Sequence, residues 1–289
     1  MKYQSDEDFR RALEDRLRQR EKERGEPLVR LRKRLAFERC SVRLQRKNPN
    51  LWILKGGVAL ELRLEQRARM TRDLDLAMDL GLHGNQELAY SDLAQMLRQD
   101  LTEAGDDHFV VLVHENNERD TISPGIKAYR FTVEVRLAGR TFEKIRVDIG
   151  VGDPLIPPFD ELVGSDLLSF DGIPRPVIRS TSRAQHFAEK VHALTRPLDD
   201  RINTRVKDLV DIMLLMDLGL PKPPVLKDTV EKIFAARQTH SIPGTIGNPP
   251  ATWVSSFTAM AIDIGLTETR LENAASRLNN YWSKIFKFR

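Results

Sequence analysis

Asp73-Leu74-Asp75 places two carboxylates one residue apart, and Lys55-Gly56-Gly57 places a diglycine a short helix-like segment before them. In a strand, residues i and i+2 leave the same face, so Asp73 and Asp75 stand side by side, an arrangement that calls for a cation. Glycine lets a backbone approach a ligand closely, and a helix that follows offers unpaired N–H groups and its positive dipole end to phosphate. Metal held by carboxylates beside a cradled phosphate is the layout for transferring a nucleotide from a triphosphate. Alone, Gly-Gly reads as a turn and Asp-x-Asp as a solvated loop; their order and spacing in one segment carry the chemistry.

Further candidates surround this pair. Arg67, Arg69 and Arg72 lie in the connection before the carboxylates, where guanidinium groups help hold triphosphate charge or stand in solvent as loop arginines. Asp148 sits between Val147 and Ile149 at an otherwise apolar strand end. Burying it unpaired would cost on the order of several kcal/mol, so it reads as a third carboxylate facing Asp73 and Asp75, or as a strand-end acid paired with Arg146 or Lys144. Lys190, beside Val191, is expected to be partly buried near an anion. Asp208 and Asp211, three apart, share a helix face, with Lys207 four residues before Asp211; taken alone these are ordinary surface pairs.

The elements that must position these groups follow from pattern. Ser5 to Glu26 reads as a charged, solvated helix ended by Gly25, and the stretch after Pro27 as a second helix with an apolar stripe (Leu28, Leu31, Leu35, Phe37, Val42) against a strongly basic face set in water or on phosphate. Leu51 to Leu54 is a short apolar strand leading into the diglycine, and Val58 to Leu64 a helix. After Gly81 and Gly84 comes an amphipathic helix from Asn85 to Ala104 burying Leu88, Leu93, Met96, Leu97 and Leu101. Phe109–Val113, Tyr129–Leu137 and Thr141–Ile149 read as strands, the last two a hairpin around Ala138-Gly139-Arg140. A loop-rich stretch reaches Arg179, and helices fill the rest, over 183–194, 205–218, 225–237, 251–262 and 267–286.

The chain has 289 residues, 40% hydrophobic and 30% charged, which suits a soluble globular protein of one large or two ordinary domains. With no apolar run long enough to span a bilayer and no apolar signal core at its start, the expected location is the cytoplasm, without membrane contact. Cys40 is the single cysteine and excludes an internal disulfide. The formal net charge of +4, from 46 basic and 42 acidic residues, favours a polyanionic partner only if the basic groups cluster.

Taken together, Lys55-Gly56-Gly57-x-x-Leu60, Arg67-x-x-x-Thr71-x-Asp73-Leu74-Asp75, Arg146-Val147-Asp148-Ile149, Ala188-Glu189-Lys190-x-His192-Ala193 and Arg205-x-Lys207-Asp208-x-x-Asp211 resemble the AbiEii/MenT family of nucleotidyltransferase toxins of type IV toxin–antitoxin and abortive-infection systems. The resemblance covers roughly residues 29–218. It implies an α/β (α+β) architecture: a polymerase-β-like nucleotidyltransferase mixed sheet with helices over residues 1–165, then a mostly helical lobe over 166–289. It also implies that Gly56 and Gly57, with Arg67, Thr71 and Arg72, hold the triphosphate, that Asp73 and Asp75 bind Mg2+ with Asp148 as a third ligand, that Lys190 contacts phosphate, and that Asp208 belongs to the catalytic centre.

Two departures stand out. The gap from Gly57 to Asp73 is longer than the general polymerase-β-like pattern, and Gly57 stands where many of that superfamily carry serine. The expected activity is nucleotide transfer from an NTP to an RNA acceptor, first the 3′ end of tRNA, with Asp148 or Asp208 accepting the hydroxyl proton. A cognate antitoxin protein is the expected partner, and Lys190 and Asp208 are expected within reach of Asp73 and Asp75. The alternatives are a transferase acting on a protein or small molecule, and a non-catalytic nucleic-acid-binding protein of the same fold.

Overall fold

In the computed structural model, which describes residues 2–79, 89–102, 107–123, 126–197 and 203–286, helix α1 spans Asp6–Arg24. Ser5 caps it by accepting from the Asp8 N–H, and Gly25 closes it in the left-handed region at φ 67°. Helix α2, Leu28–Lys47, starts after Pro27. Its basic face departs from expectation. Arg34, Arg39 and Arg43 are buried, with Arg34 paired to Glu26 and Glu61, and Arg39 and Arg43 to Asp107. A buried guanidinium must find a carboxylate or carbonyl, so these arginines are structural cross-links and not a free basic surface.

The strands are β1 (Trp52–Lys55), β2 (Asp73–Met78), β3 (Phe109–Ser123), β4 (Ile126–Leu137), β5 (Arg140–Val151), β6 (Asp160–Val163) and β7 (Val177–Ser180). They form one mixed sheet in the order β3-β4-β5-β2-β1-β7-β6. β2 runs parallel to β5 and β1 parallel to β7, and the other pairings are antiparallel. Two strands, β6 and β7, lie where sequence suggests only loops, and β3 runs on past Val113. Helix α3 (Gly56–Leu64) leaves directly from β1, and α4 (Tyr90–Thr102) buries Leu93, Leu97 and Leu101. Gly81, Gly84, Asn85, Leu88 and Ala104 lie outside the described residues. Leu74, Leu76, Val133, Val135, Val147 and Ile149 point into a core shared with α2 and α4, so their alternate neighbours, Asp73, Asp75, Asp148 and Arg146 among them, occupy the sheet's opposite, polar face.

From Thr181 on, the described residues are mostly helical, as expected: α5 (Arg183–Thr195), capped by Ser182, then α6 (Val206–Asp217), α7 (Pro223–Arg237), α8 (Val254–Asp263) and α9 (Leu271–Phe286). The residues before α8, Ala251–Trp253, form a 3-10 turn. Phe187, Ile212, Met213, Val230, Phe257, Leu278 and Trp282 are buried among these helices.

The chain divides into two compact units. The first is Met1–Arg63, Met70–Asp153 and Asp160–Ser180; the second is Leu64–Arg69, Pro154–Phe159 and Thr181–Arg289. Among the described residues, no helix is long and apolar enough to cross a membrane.

Candidate functional site

In the first unit, Asp73 and Asp75 are half-buried at the start of β2 and share its polar face. The register sets Lys55 of β1 on one side of Asp75 and Asp148 of β5 on the other, with Arg130 of β4 beyond Asp148. The same pairing puts Asp73 opposite Arg146. Arg146 Nε donates to Asp73 Oδ1 at 2.6 Å. Arg130 grips Asp148 with two bonds, Nε to Oδ1 at 2.8 Å and Nη2 to Oδ2 at 3.0 Å. Asp148 therefore stands beside Asp75 in register, and its charge is met by Arg130 rather than by Arg146 or Lys144.

The diglycine is packed against these groups. Gly56 has φ +65°, and a Cβ there would fall on the Asp75 carboxylate, 2.7 Å from its Cγ. A Cβ on Gly57 would lie 2.5 Å from Thr71 Oγ1 and 2.8 Å from Thr71 Cβ. Glycine at both places lets the first turn of α3 close onto β2 and the residues before it. It also accounts for the missing serine: the space such a side chain would take at Gly57 is filled by Thr71, whose hydroxyl donates to the Asp73 carbonyl at 3.4 Å. Lys55 forms an ion pair with the buried Asp153, a contact that residue spacing does not suggest. Arg72 is exposed.

In the second unit a buried charge cluster brings four predicted residues together. Asp211 is fully buried and accepts from Arg69 at both oxygens, 2.8 and 2.7 Å, and from Lys190 at 2.8 Å. Lys190 Nζ also donates to Asp208 Oδ1 at 2.9 Å, and Arg205 lies 3.4 Å from Asp208 Oδ2. Burial opposes the charge on both Lys190 and Asp211. Asp211 and Asp208 nevertheless hold Lys190 above its usual range, while Lys190 and Arg69 bring Asp211 down to about 2. Lys190 is thus a fixed cation. The Lys207–Asp211 surface pair does not form: Lys207 is exposed and Asp211 turns inward to Arg69 and Lys190. Arg67 is exposed.

Within the first unit, two carboxylates share one strand face and a helix N-terminus closes onto one of them, while the second unit carries its own ion-paired lysine. Comparison with known proteins identifies the chain's lineage. Residues 42–286 match the family model for the nucleotidyl transferase AbiEii toxin of type IV toxin–antitoxin systems. The chain belongs to the AbiEii family. Its AbiEii fold is similar to that of MenT4, a nucleotidyltransferase toxin from Mycobacterium tuberculosis H37Rv, at 15% identity and a TM-score of 0.60, over 94% of this chain and 89% of that one. An antigenic nucleotidyltransferase-like protein from Paracoccidioides brasiliensis aligns with 73% of the AbiEii chain and 97% of its own at 15% identity, with a TM-score of 0.37, too low to bear on the fold. No curated protein matches the sequence.

The donor set suits a hard divalent cation. Among the described residues no three His, Cys, Asp or Glu side chains converge on a metal position, and Mg2+ characteristically takes one or two carboxylates and completes its shell with substrate phosphate and water. Asp73 and Asp75 are two carboxylates of that type on one strand face. A third ligand at Asp148 would require Arg130 to release it.

Proposed function

We propose that this protein transfers a nucleotide from a nucleoside triphosphate to a hydroxyl of RNA, first among candidates the 3′ end of tRNA, in the cytoplasm, and that a cognate antitoxin protein restrains it. The observation that carries this reading is the closure of the α3 N-terminus onto Asp75, where a Cβ on Gly56 would strike the carboxylate. That closure supports the reading because the first N–H groups of a helix suit phosphate and here they lie next to a carboxylate that suits a cation.

Asp73 and Asp75 hold the cation. Mg2+ held there would supply Lewis-acid stabilisation of phosphate charge. Gly56 and Gly57, with Thr71 and Arg72, receive the triphosphate at the start of α3. Lys190, its charge secured by Asp208 and Asp211, neutralises phosphate, as does Arg67; such electrostatic support dominates phosphoryl transfer. Asp148, in register beside Asp75, accepts the hydroxyl proton on an oxygen that Arg130 gives up, and Asp208 fixes Lys190.

Labelled nucleoside triphosphates, each offered in turn with Mg2+ and total tRNA, test this. Wild type should label tRNA and Asp75→Ala should not. No labelling by wild type, or equal labelling by the variant, removes the reading. Labelling of a co-expressed protein while tRNA stays unmodified would move the acceptor from RNA to protein.

A further inference from the structure

We infer that the acceptor strand of nucleic acid lies across the polar face of β5 and β4, held there by Arg146, Lys144, Arg130 and Arg136. This rests on the transferase reading given above and assigns it a second surface.

The sheet order supplies direction. β2, with Asp73 and Asp75, has β1 and the α3 N-terminus on one side and β5, β4 and β3 on the other. In an in-line displacement the attacking hydroxyl and the leaving pyrophosphate occupy opposite sides of the α-phosphate. With the triphosphate at α3, the acceptor must arrive over β5 and β4.

That face is built for a polyanion. Lys144 and Arg146 alternate with core residues on β5, and Arg130 and Arg136 do so on β4. The side chains of Arg130, Arg136 and Arg146 are 41–44% exposed, and Lys144 is exposed too. Adjacent strands are about 4.8 Å apart, so the four cations form a compact field beginning one strand from Asp73.

Carboxylates hold three of them in place. Arg146 rests on Asp73, Arg130 on Asp148, and Arg136 Nε on Glu134 at 2.8 Å. Glu134, bonded by Arg136, Thr141 and His114, is drawn down to about 2, so it stays a fixed anchor. Arg136 and Arg146 each meet their acid through Nε, a geometry that leaves the outer guanidinium edge turned away from it, toward an incoming phosphate. Cation binding at Asp73 and Asp75 adds positive charge to the same face.

The test uses fluorescence anisotropy of 5′-labelled tRNA with the full chain across a salt series. Arg136→Gln/Lys144→Gln changes neither cation-binding acid nor its arginine. It should weaken binding about tenfold and flatten the slope of log K against log salt by about 1.4, two single-strand phosphate contacts at ~0.7 each. Nucleoside triphosphate binding should stay within twofold of wild type. Arg11→Gln/Arg18→Gln removes the same charge from exposed positions of α1 and should leave tRNA binding unchanged.

An unchanged isotherm and slope in the first variant, equal losses in both, or no tRNA binding by wild type would each overturn the surface. Wild type that binds tRNA through this face but transfers nothing would overturn the transferase reading and leave the surface standing. Normal transfer with unaltered binding by Arg136→Gln/Lys144→Gln would do the reverse.

Discussion

Gly56→Ala should cripple transfer while leaving the protein folded. Gly56 has φ +65°, and the added Cβ would lie 2.7 Å from Asp75 Cγ, where carbon atoms settle at about 3.5–4.0 Å. The carboxylate must therefore retreat by about 1 Å, and a displacement of that size at a reacting centre lowers rates by ~100-fold. The left-handed backbone adds a stability loss of about 1–2 kcal/mol. Gly25→Ala separates the two effects: φ there is +67°, with nothing within 4 Å of the new Cβ. Both variants should lower the urea midpoint, followed by circular dichroism, Gly56→Ala at least as far as Gly25→Ala because of its added clash, but only Gly56→Ala should lose labelling of tRNA and affinity for Mn2+ in a titration. Transfer by Gly56→Ala within threefold of wild type would refute the proposal that Asp75 is a cation ligand set in place by this glycine.

Other outcomes follow from the second unit and from α2. Asp211→Ala takes the shared buried anion from the half-buried Arg69 and Lys190 and should cost ~3 kcal/mol, read as earlier unfolding of the buried Trp253 and Trp282; a loss under about 1 kcal/mol would contradict this role. Because Asp211 is depressed from 3.8 to about 2, the stability it confers is complete above pH 3.8 and is lost as pH falls toward 2. Acid titration of wild type should therefore be steeper there than that of Asp211→Asn. Cys40 is buried, and burial pushes its thiol up to about 12, so iodoacetamide at pH 8 should modify it only after denaturation. Fast native-state labelling would show that α2 opens locally.

Much of the site is readable from residue types because it depends on local rules. The period-two alternation of β2 and β5 sends Asp73, Asp75 and Asp148 to one face, and the capping residues Ser5, Gly25 and Ser182 mark helix ends. What escaped the sequence depended on partners far along the chain. Arg34 and Arg43 read as a basic surface because Glu61 and Asp107 lie well beyond α2, and Arg69 meets Asp211 after 142 residues. The partner of Asp148 was hidden by a bulge. Counting back from the pair Leu137 and Arg140 would set Arg130 opposite Val147, but the shift after Val135 moves it to Asp148. β6 and β7, four residues each, are too short for alternation to show among prolines and glycines.

The discontinuity of the second unit bears on how this protein is made. Leu64–Arg69 and Pro154–Phe159 belong with Thr181–Arg289, so two pieces of that unit leave the ribosome long before the helices they pack with. Arg69 meets Asp211 only once α6 has been synthesised, and Gln185 of α5 must emerge before its amide can bond the Pro154 carbonyl and the Ile156 N–H. A nascent chain stopped before residue 181 would contain all the strands, with Asp73 and Asp75 among them, but would lack Lys190 and its two carboxylates altogether. For a protein of a toxin family, such an order of assembly delays Lys190 and its ion pairs until most of the chain exists.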